Sequence, residues 1–565
     1  MGWNLWLAAA PVVVALVCLL GFRLSSSRTA VLGYALAVVL TMAAPAFRPA
    51  GAVRAVAQST ARGLLISVIV IYVLVFGLFL YNVLRESGAL DTLSRMVSAA
   101  AVSPVHQALL ISAALGPFLE ATTGFGVGIV IAAPLLLTLG FPPERAAVLA
   151  LLTQSAVPWG ALAVGTVLNA QLSGVPLRAI GEGSALLSAP LYLMYVIVIA
   201  GMAGGWRALW RQAPAMLVVW LGLAVTTWVA NAYVAVPLAA VLAGAVAAGA
   251  LGLYLRLGHR SAGTRVRASA AARESADGRG PAEGWQPAER REPGEGREPG
   301  EGREPGEGRE PAAGRGLAEG RQPAVRGAAE APRAPSPGRC LVPYGVLVGF
   351  GLVVNLWPAV GNLLSRIAVI RVPSLDFELP LLTSPGFALL LASSVGIVMF
   401  RMRGPSVLRC ARRTLLQVWP VAVSTAGFVA MSTVMQRAGM MDALAHALAA
   451  GLGQGFIVAS PLLGALGGFI TGSNSAANAL FASFQSAMAQ SLHQPPALFT
   501  SMQNVAASNL TMASPSRVAL VASIAGLAGG EGALARRMMG IAAAALVLIL
   551  SGGLLWALLW ARAVG

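Results

Sequence analysis

The sequence contains no lysine, and charged residues of all kinds make up only 11% of its 565 positions. Soluble domains carry about 25% charged residues, so this composition excludes an ordinary water-soluble fold. All 39 basic residues are arginines, which gives a pI of about 11.2. The arginines lie in loops between apolar runs, as the positive-inside rule requires of a membrane protein. We therefore predict no nucleic-acid partner.

Residues that bind metals or form disulfides are also scarce. The three cysteines and four histidines are scattered, with neither the spacing of a zinc site nor that of a disulfide framework. The chain has no nucleotide-binding motif, and no loop carries the paired carboxylates of a metal-dependent enzyme such as a lipid-linked glycosyltransferase. We predict a protein that is not an enzyme and that needs no metal or other cofactor.

Apolar residues are abundant, at 57% of the chain, with a mean hydropathy of +0.74. They form blocks long enough to cross a bilayer, which takes about 20 residues per helix. The pattern predicts an all-α polytopic membrane protein with roughly 12–14 transmembrane helices, some of them too short to span fully.

Residues 256–340 interrupt this pattern and divide the chain into an N-terminal membrane half, 1–255, and a C-terminal half, 341–565. The hexapeptide REPGEG occurs three times within the insert, which holds 13 of the 22 acidic residues. This composition cannot bury a core, so we predict a disordered segment, either a regulatory loop or, as we favour, a spacer. The arginines of residues 401–413 predict a cytoplasmic loop, and counting helices places the insert on the same side.

The two halves echo each other in sequence. Ala114–Gly126 reads ALGPFLEATTGFG, and Ala465–Asn478 reads ALGGFITGSNSAAN. A second polar break follows in each half, at Thr153–Gly160 and at Gln503–Asn509. Interrupted helices at matching positions are typical of secondary transporters built from inverted repeats. We predict two pseudo-symmetric halves with re-entrant or broken helices, with chance similarity in a chain rich in glycine and alanine as the alternative.

Glu120 is the only acidic residue that the pattern places within an apolar segment. Nine acidic residues lie outside the insert, and the other eight lie at predicted helix ends or in loops. A charge at bilayer depth costs at least about 2.5–3.5 kcal/mol, which favours the protonated form of a carboxyl group. Glu120 is therefore the candidate for proton coupling. The alternative is a structural acid that binds the free amides of a broken helix.

Small and polar residues at the breaks form the candidate substrate site. Free amides at a helix N-terminus bind anions, and neutral hydrogen bonds can complete such a site, although any one hydroxyl could instead serve helix packing. The candidates are Thr122, Thr123, Gly124, Gly126, Thr153, Gln154, Ser155, Thr471, Ser473, Asn474, Ser475, Asn478, Gln503, Asn504, Ser508, Asn509, Ser514 and Arg517.

Arg517 is the one basic residue close to these breaks. Its guanidinium group could pair with a substrate carboxylate. Alternatively, its long side chain could extend to the membrane interface, and this second interpretation is the one we favour.

The polar breaks resemble the signatures of the bacterial L-lactate permease family. FLEATTGFG resembles that family's FLEGAAGFG-type signature, and TGSNSAANALFASFQ resembles its TGS-DT/NT-SSNALF-LQ stretch. Segments Leu78–Leu93, Leu223–Leu238, Ser384–Ala392 and Gly526–Arg537 also resemble the family in matching order. The resemblance covers nearly the whole chain outside residues 256–340. It implies a multi-pass carrier of the bacterial cytoplasmic membrane that takes up lactate, and often glycolate, with a proton.

The sequence departs from the family pattern at three places. Thr122 and Thr123 stand where the family has small residues without hydroxyls, and Thr153–Ser155 differ from its usual tripeptide. Thr511 stands where the family's KMISPQ-type stretch has a lysine. If that lysine binds the carboxylate in the family, the substrate of this chain could differ.

We therefore predict a secondary active transporter for L-lactate or a related small 2-hydroxymonocarboxylate such as glycolate, driven by proton symport. Its partners are a small organic anion, a proton and the lipid bilayer. The alternative is the same architecture carrying another organic anion, such as a dicarboxylate, with coupling to sodium.

Overall fold

Helices account for nearly all of the fold, because within a bilayer a helix satisfies its own backbone hydrogen bonds. The computed structural model describes residues 2–22, 24–100, 103–124, 126–276, 335–527 and 529–564. The helices of the first half are α1 (Gly2–Leu20), α2 (Ser26–Ala43), α3 (Ala52–Glu86), α4 (Ala89–Ala100), α5 (Pro104–Ala108), α6 (Gly116–Thr123), α7 (Val127–Thr138), α8 (Pro143–Leu151), α9 (Gly160–Ser173), α10 (Leu177–Gly204), α11 (Trp206–Arg211), α12 (Ala213–Val229) and α13 (Ala239–Ala276).

The second half has ten helices and one short hairpin in its described part. The helices are α14 (Pro337–Leu356), α15 (Pro358–Leu364), α16 (Pro385–Met399), α17 (Gly404–Arg437), α18 (Met440–Leu452), α19 (Phe456–Thr471), α20 (Asn474–Ser491), α21 (Pro496–Thr511), α22 (Pro515–Ile524) and α23 (Glu531–Val564). Strands β1 (Val369–Val372) and β2 (Phe377–Pro380) pair antiparallel, with Val369 opposite Pro380.

Tighter or wider helical turns interrupt the regular helices at a few places. The 3₁₀ segments are Pro45–Phe47, Leu152–Trp159, Val236–Leu238, Pro373–Leu375 and Gly453–Gly455, and the π-helical segments are Leu109–Leu115 and Ala230–Val234. The π-helical segment 109–115 leads directly into α6, and the 3₁₀ segment 152–159 joins α8 to α9. Such irregular turns occur often at functional sites.

Ten helical stretches of the described chain are long and apolar enough to cross a membrane. Four of them contain the 3₁₀ or π-helical segments just described, namely Pro143–Ser173, Ala213–Val234, Val236–Leu257 and Met440–Thr471. Three shorter apolar helices, Asn4–Leu20, Val127–Thr138 and Pro385–Met399, bring the apolar segments to thirteen. The predicted all-α polytopic membrane fold is confirmed.

The two halves belong to one compact unit, formed by Met1–Arg256 and Ala334–Gly565. Residues 257–276 of the described chain do not belong to this unit. They continue α13 as far as Ala276, so helix extends into the insert that the sequence predicted to be disordered from residue 256. Residues 277–334, which include the REPGEG repeats, lie outside the described residues.

The helices follow the same order in both halves. The long helices α3 and α17 contain 35 and 34 residues, and each is followed by a helix of 12 or 13 residues and then by a broken segment. Their packing also corresponds: α2 packs on α17 and α16 on α3, while α1 packs on α18 and α14 on α4. This correspondence agrees with a structural repeat. The inverted orientation of the halves stays a prediction.

The crossing of α3 and α17 holds the halves together. A Cβ atom on Gly63 would lie 2.7 Å from the Cα atom of Ala430, so only a glycine lets the two backbones approach this closely. At the other end of α3, Glu86 accepts hydrogen bonds from Arg409 at 2.8 Å and Arg413 at 2.9 Å. These ion pairs place the end of α3 beside the arginine-rich loop that the sequence predicts to be cytoplasmic.

All three cysteines of the chain are buried and unpaired. They are Cys18 in α1, Cys340 in α14 and Cys410 in α17, on three separate helices.

Candidate substrate and proton site

The first broken segment lies between α6 and α7, where glycines take backbone conformations that other residues avoid. Gly124 has φ +69° and Gly126 has φ +80°. Helix α6 ends when the amide of Gly124 bonds to the carbonyl of Glu120. The Glu120 side chain then turns back to the start of α7, where both carboxylate oxygens accept from the Gly126 amide at 3.1 and 3.2 Å. Glu120 therefore caps the positive end of α7, as acids commonly do.

The second broken segment lies between α19 and α20. Gly472 ends α19 with φ +62°, and Ser473 accepts a hydrogen bond from the Ala476 amide as the N-cap of α20. Thr471 fixes the turn, since its hydroxyl donates to the Gly467 carbonyl and accepts from the Ser473 amide. The result is an 18-residue helix whose N-terminus is held in place without any charged side chain.

The two breaks meet at a cavity of about 440 Å³. Its polar lining comes from both halves, and its apolar lining comes mainly from α3, α9 and α17. Seven of the residues predicted from sequence line it, namely Glu120, Gly124, Thr471, Ser473, Asn474, Ser475 and Arg517. Among the lining residues only Glu120 and Arg517 are ionisable. The volume suits a small organic anion with some water.

Arg517 lies at this cavity, where its guanidinium group contacts the predicted site, although the sequence favoured the interpretation that it extends to the membrane interface. Its Nη1 atom donates to Oε1 of Gln154 at 3.0 Å, and Nε2 of Gln154 donates to Oε2 of Glu120 at 3.0 Å. The orientation of the amide follows from its partners, because a guanidinium group only donates and a carboxylate only accepts. Glu120 is 2% exposed and Gln154 is fully buried. One amide thus bridges the two charges of the site.

A left-handed turn at the start of α9 forms the wall opposite the first break. Ala161, Leu162 and Ala163 have φ values of +37°, +54° and +66°, which cost residues with a side chain about 1–2 kcal/mol each. A Cβ atom on Gly124 would lie 2.7 Å from that of Ala161. The turn therefore packs directly against the first break, and any side chain at Gly124 would clash with Ala161.

A buried network of carboxamides supports the second break from behind. Oδ1 of Asn504 accepts from Asn474 at 2.9 Å and from Asn478 at 3.0 Å, and its Nδ2 donates to Thr166 and Ser184. The network joins α9, α10, α20 and α21. It fixes Asn474, the member that reaches the cavity.

The other predicted residues lie behind the lining. The hydroxyls of Thr122 and Thr123 both donate to the carbonyl of Leu119 in their own helix, and the hydroxyl of Thr153 donates to that of Ala150. The further predicted residues outside the lining are Gly126, Gln154, Ser155, Asn478, Gln503, Asn504, Ser508, Asn509 and Ser514. Of these, Gly126 and Gln154 contact Glu120 directly.

Sequence reasoning missed one part of the lining. Ser25–Ser27 before and within α2, and Pro420 and Ser424 of α17, face the cavity, and the hydroxyl of Ser27 donates to the Pro420 carbonyl at 2.7 Å. The serine run and the proline within the long helix α17 were the available signals. It also missed Asn169 and Thr166, which belong to the carboxamide network.

The comparison with known proteins identifies the family. The sequence profile described as L-lactate permease matches residues 4–280 and 350–561, which is most of the chain. This chain belongs to the L-lactate permease family. The unmatched part, 281–349, falls largely within the predicted insert. The predicted resemblance is thereby confirmed, and the protein is a transporter of the cytoplasmic membrane and not an enzyme.

Individual members of the family are distant relatives of this chain. The L-lactate permease of Escherichia coli K12 is 24% identical over 488 residues, covering 82% of this chain and 80% of its own length. The glycolate permease GlcA of the same organism is 26% identical over 477 residues, and the L-lactate permease of Bacillus subtilis 168 is 27% identical over 479, with the same two coverages. The chain is a divergent member of the family.

Proposed function

We propose that this permease takes up L-lactate or a closely related 2-hydroxymonocarboxylate such as glycolate, one anion together with one proton. The relatives named for L-lactate and for glycolate support this substrate class. The observation that carries the proposal is the cavity where the two broken segments meet, with one carboxyl group and one guanidinium group as its ionisable lining.

The lining suits an anion with one carboxylate and one hydroxyl group. Arg517 offers a guanidinium group, which binds carboxylates well. The N-terminus of α20 adds its positive dipole end, and Asn474 and Ser475 add neutral hydrogen bonds for a hydroxyl group. A dicarboxylate would bring two negative charges to one arginine beside Glu120, so this second candidate is disfavoured.

Arg517 also compensates for the missing positive charge at Thr511, the position where the family pattern has a lysine. The hydroxyl of Thr511 donates to the Ser508 carbonyl, and the residue is fully buried outside the cavity lining. The positive charge that the threonine lacks is supplied to the cavity by Arg517, six positions later.

Glu120 is the proposed proton site. It is buried, it lines the cavity, and its ionised form is held by the Gly126 amide and by Gln154. A proton and a monovalent anion that move together carry no net charge. The membrane potential, which acts with about 2.3 kcal/mol per charge per 100 mV, then does not oppose uptake.

The test is uptake of radiolabelled L-lactate and glycolate into proteoliposomes with an inward proton gradient. Wild type should accumulate the anion, whereas Glu120→Gln should lose accumulation and keep exchange of internal for external substrate. Glu182→Gln is the matched control, because Glu182 pairs with Arg178 in α10 away from the cavity. Accumulation that follows a sodium gradient instead would contradict proton symport, and absence of any lactate or glycolate exchange would contradict the substrate.

A further inference from the structure

The bridge between Glu120, Gln154 and Arg517 is unusual because the two charges of the cavity do not pair directly. The guanidinium group of Arg517 lies against the backbone of Gly126, where a Cβ atom would overlap its Nη1 atom. The amide of the same glycine holds the Glu120 carboxylate at 3.1 Å. The Glu120 carboxylate and the Arg517 guanidinium group therefore both contact Gly126, and the buried side-chain amide of Gln154 bridges them.

We propose that Gln154 is a positioning residue that keeps Glu120 and Arg517 as a neutral but separated unit, so that a proton on Glu120 frees the charge of Arg517 for the substrate carboxylate. This inference rests on the proposed function. It differs from the sequence interpretation of Gln154, which counted it among residues that touch the substrate.

Charge balance explains how the unit couples the two ligands. In the empty site, the ionised Glu120 and Arg517 sum to zero. An anion alone would make the buried unit negative, and a proton alone would make it positive, each at the desolvation cost of an unbalanced charge. Only both ligands together restore neutrality, with the proton on Glu120 and the carboxylate at Arg517.

No other ionisable side chain of the described chain lines the cavity to disturb this balance. To the cavity lining, α3 contributes Leu74, and α9 contributes Gly160, Ala161, Val164 and Gly165. The facing end of α20 contributes neutral asparagine and serine side chains, and α17 contributes Pro420, Val421 and Ser424.

A direct ion pair is the alternative that Gln154 prevents. With the bridge removed, Arg517 could reach Glu120 across Gly126. The pair would stabilise the ionised carboxylate and occupy the guanidinium group, so both proton uptake and anion binding would weaken. The loss would be greatest where Glu120 is ionised and smaller where it carries a proton.

The experiment is calorimetric titration of the purified full-length protein with L-lactate at several pH values, in buffers of different ionisation enthalpy. Wild type should take up close to one proton per anion bound. Glu120→Gln should bind the anion without proton uptake and with an affinity that does not change with pH. Gln154→Met should bind about tenfold more weakly near neutrality, and its binding curve should move about one pH unit toward acid.

Gln503→Met is the matched control. Gln503 is an equally buried glutamine, bonded to Gln485 and to the Ala477 carbonyl outside the cavity lining, so its loss should leave the pH dependence unchanged. If Gln154→Met does not fold, Gln154→Asn replaces it, since the shorter amide cannot span both partners.

The outcomes separate the two proposals. If wild type binds lactate but the Gln154 variant weakens binding equally at every pH, or keeps the wild-type pH dependence, the role of Gln154 is structural and the inference is overturned. If wild type binds neither lactate nor glycolate at any pH, the proposed function fails, and the inference fails with it.

Discussion

The two broken segments occupy corresponding places in the two halves, yet their chemistry differs. The first break, between α6 and α7, carries a buried carboxyl group and contacts an arginine, and it contains two glycines with positive φ. The break at residues 471–474 has one left-handed glycine, a serine N-cap and an asparagine network, with no charged residue. The first is suited to handle charge, and the second to form neutral hydrogen bonds with the substrate.

This difference shows what two corresponding elements can gain from asymmetry. If both breaks carried a carboxyl group, the cavity would hold two negative charges and would repel an organic anion. With the charge confined to one break, the other can offer a helix N-terminus and amide donors. The following four changes test this division of roles, from the largest expected effect to the smallest.

Alanine substitution of one glycine in each break, Gly126 and Gly472, should reveal the largest difference in transport activity between the two breaks. Gly126→Ala should abolish transport, because the residue has φ +80° and its new Cβ atom would displace the guanidinium group of Arg517. Gly472→Ala should lower transport only in part, since its Cβ atom would meet the movable hydroxyls of Ser516 and Ser514 at 2.7 and 3.1 Å. Lactate uptake of both variants, normalised to folded protein in the membrane, measures the effect. Equal losses would mean that the breaks do not differ in role.

Removal of the network behind the second break should reduce stability more than it changes the coupling. Asn504→Ala removes four side-chain hydrogen bonds, each worth about 0.6 kcal/mol on average in a membrane protein, so roughly 2 kcal/mol should be lost. Thermal unfolding in detergent measures this loss. The proton stoichiometry of the remaining transport should stay at the wild-type value, and a changed stoichiometry would show that charge handling extends to the second break.

Loss of the N-cap at the second break should weaken substrate binding modestly. Ser473→Ala leaves the first turn of α20 without its cap, at a cost of about 1 kcal/mol, which corresponds to roughly a fivefold rise in KM. Ser473→Asp is not an equivalent cap here, since it would place a second carboxylate at the cavity, and it should raise KM further. A lower KM for the aspartate variant would argue against an anionic substrate at α20.

The two threonines that depart from the family pattern should matter least. Thr122→Val and Thr123→Val remove hydroxyls that bond within their own helix, so KM should change less than about twofold, or roughly 0.4 kcal/mol. Initial rates of uptake over a range of lactate concentrations measure the KM of each variant. A large rise in KM would mean that these hydroxyls turn toward the substrate in another state of the transport cycle.

The sequence was informative where composition and glycine pattern determine structure. Long apolar blocks predicted a helical membrane fold, and the clustered glycines around Glu120 and at Gly472 predicted the helix breaks. The same signals brought together six of the seven predicted lining residues, all except Arg517, because interrupted backbone inside a membrane has to face protein or a polar cavity.

Other parts of the site depend on contacts between distant residues, which sequence spacing does not reveal. The sequence favoured an Arg517 that extends to the interface, and its place at the cavity depends on a hydrogen bond to Gln154, 363 positions away. The left-handed turn at 161–163 is formed by two alanines and a leucine, which normally favour a regular helix. Ser25–Ser27 reach the cavity because α2 packs on α17, and the serine run by itself does not indicate which helix it contacts.

Because all three native cysteines are buried, a cysteine introduced at the cavity wall can be modified selectively. A thiol reagent added to the folded protein meets no exposed native sulfhydryl, since Cys18, Cys340 and Cys410 all lie within the helix packing. The absence of lysine likewise removes every side-chain amine from competition. A single cysteine placed on the wall, for instance at Ser475, would therefore be the one reactive position, and its rate of modification would report directly on which side of the membrane the cavity is open.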